Sequence, residues 1–309
     1  MKFKATCGFL AVFATLAAYL FLVDEPRQQA RQHQLERRGL VLPELEPGAV
    51  TAVTLHSAKG TVRVERGEGD VWNVTAPVPD RGNTNRVRSL LADIGTLRAE
   101  RAVAGADANL EPYGLVDPEL LVALEGPALS LAVGGVTPAG DARYLRAGNG
   151  PVLVVKSQQV TSLLLDPDAL RRRKPLLVGA WPVRGVEVIR GQESRSYDQI
   201  GGVWRRGGEA LETAEGAALQ ALVTVLETTA ADQVIDAPDA AAYGLEPMAI
   251  KLAVALDGGS RQEIALGQLG SQRYARAGDG TGPVYALPIA FGETLEALLS
   301  APETTAPGR

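Results

Sequence analysis

The feature that most constrains how this chain folds is an internal duplication, in which landmarks recur in one order at an offset of about 130 residues. Trp72 answers Trp204, and the apolar stripe Val87, Leu90, Leu91, Ile94 answers Leu219, Leu222, Val223, Leu226. Tyr113-Gly-Leu answers Tyr243-Gly-Leu, and Arg143-Tyr-Leu-Arg-Ala-Gly answers Arg273-Tyr-Ala-Arg-Ala-Gly. Gly150-Pro151 then matches Gly282-Pro283. So long a train of matched residues, rare tryptophans among them, implies two copies of one folding unit. A chain of 309 residues gives each copy enough length to bury its own core.

Each copy reads as an α+β unit. Alternating stretches at Ala52 to His56, Thr61 to Glu65 and Val71 to Val74 have the two-residue period of half-buried strands in a meander. A helix follows, with Asn83 or Thr84 as cap in the first copy and Thr213 in the second. The 3-4-3 spacing of its apolar residues puts them on one face. Strands are expected near Glu119 to Glu125, Leu129 to Val133, Arg143 to Arg146 and Val152 to Val155, and a short helix at Gln158 to Leu165 closes the unit. The connections are too short for parallel crossovers, so the pairing is mainly antiparallel. The first repeat is placed at 48–174 and the second at 175–300. The run Arg171-Arg-Arg-Lys174-Pro175 at their boundary is expected to stay in solvent at the negative end of a short helix, the alternative being a binding patch for anionic lipid or polymer.

Before the repeats comes an uncharged run, residues 5–23, which as a helix would cover roughly 28 Å, close to the hydrocarbon thickness of a bilayer. It ends in Tyr19-Leu-Phe-Leu-Val followed by Asp24-Glu25-Pro26, without the small-x-small site of a cleaved signal, so 1–23 is expected to be a retained transmembrane anchor. Lys2 and Lys4 precede it while Arg27, Arg31, Arg37 and Arg38 follow it. The short N-terminal tail favours an N-in, C-out orientation, with both repeats outside the cytoplasmic (inner) membrane, periplasmic in a two-membrane cell. Residues 24–47 read as a polar stalk ending its helical stretch near Gly39, and 301–309 as a disordered tail. Cys7 lies in the anchor, so the repeats have no thiol to form a disulfide, which fits an oxidising compartment.

Composition closes off several chemistries. A net charge of −5 leaves no excess of cations for a nucleic-acid surface, so no nucleic-acid partner is expected. The only histidines are His33 and His56, which excludes histidine-based zinc sites and Ser-His-Asp triads from the second copy. No dinucleotide fingerprint, phosphate-cradling loop or Gly-x-Ser-x-Gly elbow occurs. The run Gly278-Asp-Gly-Thr-Gly282 reads as a hairpin turn, and the carboxylate pairs Asp166-Pro-Asp168 and Asp236-Ala-Pro-Asp239 as turn and helix-start chemistry. No cofactor, no metal ion and no catalytic residue is expected. One repeated feature could carry binding: the strand period puts Tyr144 with Arg146, and Tyr274 with Arg276, on one face, offering a guanidinium beside a phenol to carboxylates, sugars or a partner. The alternative is a structural cross-strand pair.

The anchor, the early Trp, the stripe ending at Ile94 or Leu226, and Tyr-Gly-Leu followed by Pro118 or Pro247 come in a fixed order. Gly134 or Gly267 and Tyr-x-Arg before a glycine hairpin complete it. In this combination the chain resembles a bacterial domain of unknown function family, number 4340, over residues 48–300. The stretch Gly135 to Ala142 departs from it, being longer than its counterpart in the second copy. Members of that family are often encoded beside ABC-type transport systems resembling the auxiliary components of gliding motility. The resemblance implies a membrane-anchored accessory or scaffold subunit of such a transport complex, non-enzymatic, and carries no catalytic residue. The alternative functions are an envelope-polymer binding module for glycan or acidic ligand and, behind it, a carboxylate-based hydrolase.

Overall fold

The computed structural model describes residues 39–176, 182–211, 213–236, 239–246, 250–278, 280 and 282–301. The expected anchor at 5–23, the stalk as far as 38 and the tail from 302 lie outside the described residues. Among those described, no helix is long and apolar enough to cross a membrane.

The first copy runs β1 (Ala52–Ser57), β2 (Gly60–Arg66), β3 (Trp72–Ala76), β4 (Asp80–Arg81), α1 (Thr84–Thr96), β5 (Arg101–Ala104), β6 (Leu120–Glu125), β7 (Leu129–Val136), β8 (Ala142–Ala147), β9 (Val152–Lys156) and α2 (Ser157–Val160). The second runs β10 (Val183–Arg190), β11 (Glu193–Ile200), β12 (Val203–Arg206), β13 (Glu209–Ala210), α3 (Thr213–Thr228), β14 (Gln233–Ile235), β15 (Ile250–Leu256), β16 (Arg261–Leu269), β17 (Gln272–Ala277), β18 (Val284–Leu287) and α4 (Ile289–Ser300). The strands form two antiparallel nine-stranded sheets, ordered β4-β3-β2-β1-β6-β7-β8-β9-β5 and β13-β12-β11-β10-β15-β16-β17-β18-β14. Strand for strand, the second order repeats the first, so the fold is α+β in two matching sheets. By compactness, the described residues up to Thr51 together with Arg88–Leu165 form one unit. Ala52–Val87 together with the described residues from Asp166 onward form the other.

Local chemistry explains the elements. In β3, Trp72 and Val74 are buried while Asn73 and Thr75 face solvent, the alternation of a strand packed on one side. Val87, Leu90, Leu91 and Ile94 of α1 are all at most 1% exposed, and each contributes about 1.5–3 kcal/mol by leaving water. Asn83 is the cap: its Oδ1 accepts the Arg86 N–H at 3.1 Å. Thr84 instead accepts the Trp72 N–H at 3.0 Å, tying the helix start to β3. In the second copy Leu219, Leu222, Val223 and Leu226 of α3 are buried in one cluster with Phe291, Leu295 and Leu298 of α4 and with Leu252 and Val254 of β15.

Three expectations are corrected. The closing helix of the first copy, expected over 158–165, is the single turn α2. The Thr161 hydroxyl bonds back to the Ser157 carbonyl at 2.9 Å, and after one long helical bond from Leu164 N–H to the Val160 oxygen at 3.3 Å the chain tightens, with Leu163 N–H on the same oxygen at 2.9 Å and Leu165 N–H on the Leu163 oxygen at 2.7 Å. The chain is packed before residue 48, since Val41, Leu42 and Leu45 are buried and the Val41 N–H reaches the Leu97 carbonyl at 2.9 Å. Finally, the cationic run at the repeat boundary does not stay in solvent. Arg171 is 1% exposed, Arg172 to Lys174 are half-buried, and the stretch is built into the second compact unit.

Candidate functional site

The Tyr-x-Arg strands take the same arrangement in both sheets. Tyr144 on β8 packs edge-on against Tyr113 with ring centres 5.0 Å apart, and Tyr274 on β17 meets Tyr243 at the same 5.0 Å. Arg146 donates through Nε to the Gly150 carbonyl at 3.0 Å and through Nη2 to the Ala106 carbonyl at 2.9 Å. Arg276 repeats the first bond, its Nε lying 3.2 Å from the Gly282 oxygen. The guanidinium therefore clamps the hairpin glycine, and the phenol rests on the Tyr-Gly-Leu turn. That turn needs its glycines: Gly114 and Gly244 have φ of 64° and 68°. A Cβ on Gly134 or Gly267 would come within 2.3 or 2.4 Å of the Tyr113 or Tyr243 carbonyl. Tyr144, Arg146, Tyr274 and Arg276 are all half-buried, and each has an internal partner.

A polar cluster that the sequence reading missed lies in the second compact unit. Arg171 grips Asp236 with both terminal nitrogens, at 2.7 and 2.8 Å, while its Nε lies 3.0 Å from Asp168. One carboxylate from each pair singled out as turn chemistry, Asp168 and Asp236, thus converges on one buried guanidinium, while Asp239 keeps the turn role by accepting the Ala241 N–H at 3.0 Å. Asp166 does keep the turn role, accepting the Asp168 N–H at 3.1 Å. Burial pushes the Asp168 carboxyl above its ordinary value, outweighing the favourable charge of Arg171. Beside this cluster the Tyr285 hydroxyl donates to Asp80 Oδ1 at 2.7 Å, and the Arg81 N–H donates to the same oxygen at 2.7 Å. Asp80 Oδ2 is buried and meets no hydrogen-bond partner among the described residues. Burial raises Asp80, more than Tyr285, Arg81 and Arg171 lower it; burial and the Asp80 charge also push the Tyr285 phenol up. These groups border a cleft of about 570 Å³, which Arg81, Lys174, Arg261 and Glu263 also line.

A second buried group sits at the start of α3. Glu215, 1% exposed, accepts the Tyr197 hydroxyl at 3.0 Å and pairs with Arg206 at 3.1 Å. Burial and the neighbouring carboxylate push Tyr197 up to about 12. Among the described residues no cluster of His, Cys, Asp and Glu could hold a metal ion.

Fold and site together define a tandem sheet-plus-helix protein whose recurring charged and aromatic residues brace its turns. The family model of a domain of unknown function, DUF4340, matches residues 72–248, more than half of the chain, and the chain belongs to that family. No curated protein and no solved structure matches it.

Proposed function

We propose that the protein is a non-enzymatic accessory or scaffold subunit, tethered by residues 5–23 on the outer side of the cytoplasmic membrane and working with an ABC-type transport complex. The observation that carries the non-enzymatic part is how the recurring functional-looking groups are engaged. Both Tyr-x-Arg motifs hold turns of their own sheet, and the acidic groups at the cluster, Asp80, Asp168 and Asp236, are engaged by Tyr285 and Arg171. Asp80 borders the cleft with a carboxyl raised by burial, but its unpaired oxygen is itself buried, which counts against proton exchange with a substrate at that group. The uncharged run at 5–23 supports the tether, and the family resemblance supports the transport context. Purification of the full-length chain in detergent from native membranes tests the role. Transporter ATPase and membrane subunits should be enriched with it in constant ratio, and their absence would reject the reading.

Ligand binding is the second reading. The cleft bordering Asp80 favours it over the Tyr-x-Arg faces, because the cleft has room for a ligand and those faces are engaged internally.

A further inference from the structure

The cleft's carboxylates and cations are unequally matched. Glu263 is held by Lys251 and Arg261, which keep its carboxyl below the ordinary range, and Asp80 is held by Tyr285 and the Arg81 N–H. Arg261 is answered by Glu187 as well as Glu263. Lys174 gives one N–H to the Glu227 carbonyl and, with three donors on its ammonium, retains others. Arg81 is exposed on β4 at the cleft wall, and among the described residues no carboxylate forms an ion pair with its guanidinium. Arg172, half-buried next to it, is also without an ion pair among those residues. Burial first, and then the Arg81 charge, weaken its hold on its proton. Arg81 and Lys174 line the cleft, and Arg172, which does not line it, lies close enough for the Arg81 charge to act on it; Asp80 on the cleft edge offsets these cations in part, and an anion would answer the charge that is left. The volume of about 570 Å³ is in the range of small-molecule sites, and Pro175 and Leu176 add an apolar strip beside the charges.

We propose that this cleft binds a small molecule bearing an oxyanion group, phosphate or carboxylate, with Arg81 as the direct contact and Arg172 and Lys174 reinforcing it. The site goes beyond the accessory role and does not depend on it. The test is calorimetric titration of the full-length chain in non-ionic detergent with inorganic phosphate, with citrate, and with glycerol as the uncharged control. At least one anion should saturate, more weakly as sodium chloride rises, and glycerol should not. The stronger of the two anions identifies the group the site prefers. Arg81→Gln should weaken that anion at least about tenfold, or about 1.4 kcal/mol, while Arg184→Gln, an exposed cation paired with Asp257 elsewhere in the unit, leaves it unchanged. Should Arg81→Gln fail to fold, Lys174→Gln takes its place with the same direction of effect. Absence of saturation by both anions, or equal affinity in the folded cleft variant and in wild type, would overturn the proposal.

Discussion

Replacing Arg171 by alanine tests the polar cluster most severely. The side chain is 1% exposed, whereas Asp236 and Asp168 are 30% and 41% exposed. Breaking a buried ion pair costs about 3–5 kcal/mol, chiefly because a charge is left stranded out of water. Here the stranded groups would be the aspartates, which water reaches in part, so the low end applies and Arg171→Ala should cost about 3 kcal/mol. Asp236→Ala instead strands the guanidinium with Asp168 alone and should cost about 2–3 kcal/mol. Because the two share a bidentate contact, the double variant should fall short of the sum by about 1–3 kcal/mol. Urea unfolding of the full-length chain in detergent, followed by the fluorescence of buried Trp72 and Trp204, gives all four values of the cycle. An Arg171→Ala cost below about 1 kcal/mol with a coupling near zero is what a solvent-exposed pair would give, and would refute the buried clamp.

Further outcomes follow from the same geometry. Gly244→Ala places a Cβ 2.6 Å from the Gln268 carbonyl and should cost about 1–3 kcal/mol more than Gly201→Ala, which has a similar φ but nothing within 4 Å; equal costs in urea would deny the contact. Tyr274→Phe should stay within about 0.5 kcal/mol of wild type and Tyr274→Ala lose about 3 kcal/mol, and an alanine variant of unchanged stability would show that the ring pair does not brace the turn. Asp80 is raised above its ordinary value of 3.8, so the folded chain holds its proton more tightly than the unfolded chain. That contribution is complete below 3.8 and is lost as pH rises through the higher folded value. Asp80→Asn should therefore gain on wild type, in unfolding free energy, as pH climbs from below 3.8 toward neutrality, and a difference that does not change with pH would contradict the burial.

Much of the fold was legible because the chain states it twice. Trp72 and Trp204, and the two helix stripes, fall at matching places in two sheets of identical strand order, and all are buried. Even Gly134 and Gly267 proved readable as a pair, each making room for the carbonyl of its tyrosine. The edge strands were not legible. β4 and β13 are two residues long, too short for any period, and β5 has no buried residue to show alternation. The polar cluster was hidden for another reason. Arg171 meets Asp236 across 65 residues and Tyr285 meets Asp80 across 205, while a run of four cations looks like solvated surface until its partners are in place. Pairings of that separation leave no local pattern in the sequence, so Arg171, Asp80 and Tyr285 come together only in the folded chain.

The proposed role depends most directly on which side of a membrane the sheets occupy. Ser271, exposed in the turn between β16 and β17, can be changed to cysteine in a Cys7→Ser background, leaving a single thiol. Labelling of intact cells with a membrane-impermeant thiol reagent then reads its position, with the chain recovered from the membrane fraction after alkaline extraction. A tethered accessory on the outer side is labelled before permeabilisation of the cytoplasmic membrane. Labelling only after that membrane is breached, or release of the chain by alkali, would contradict it.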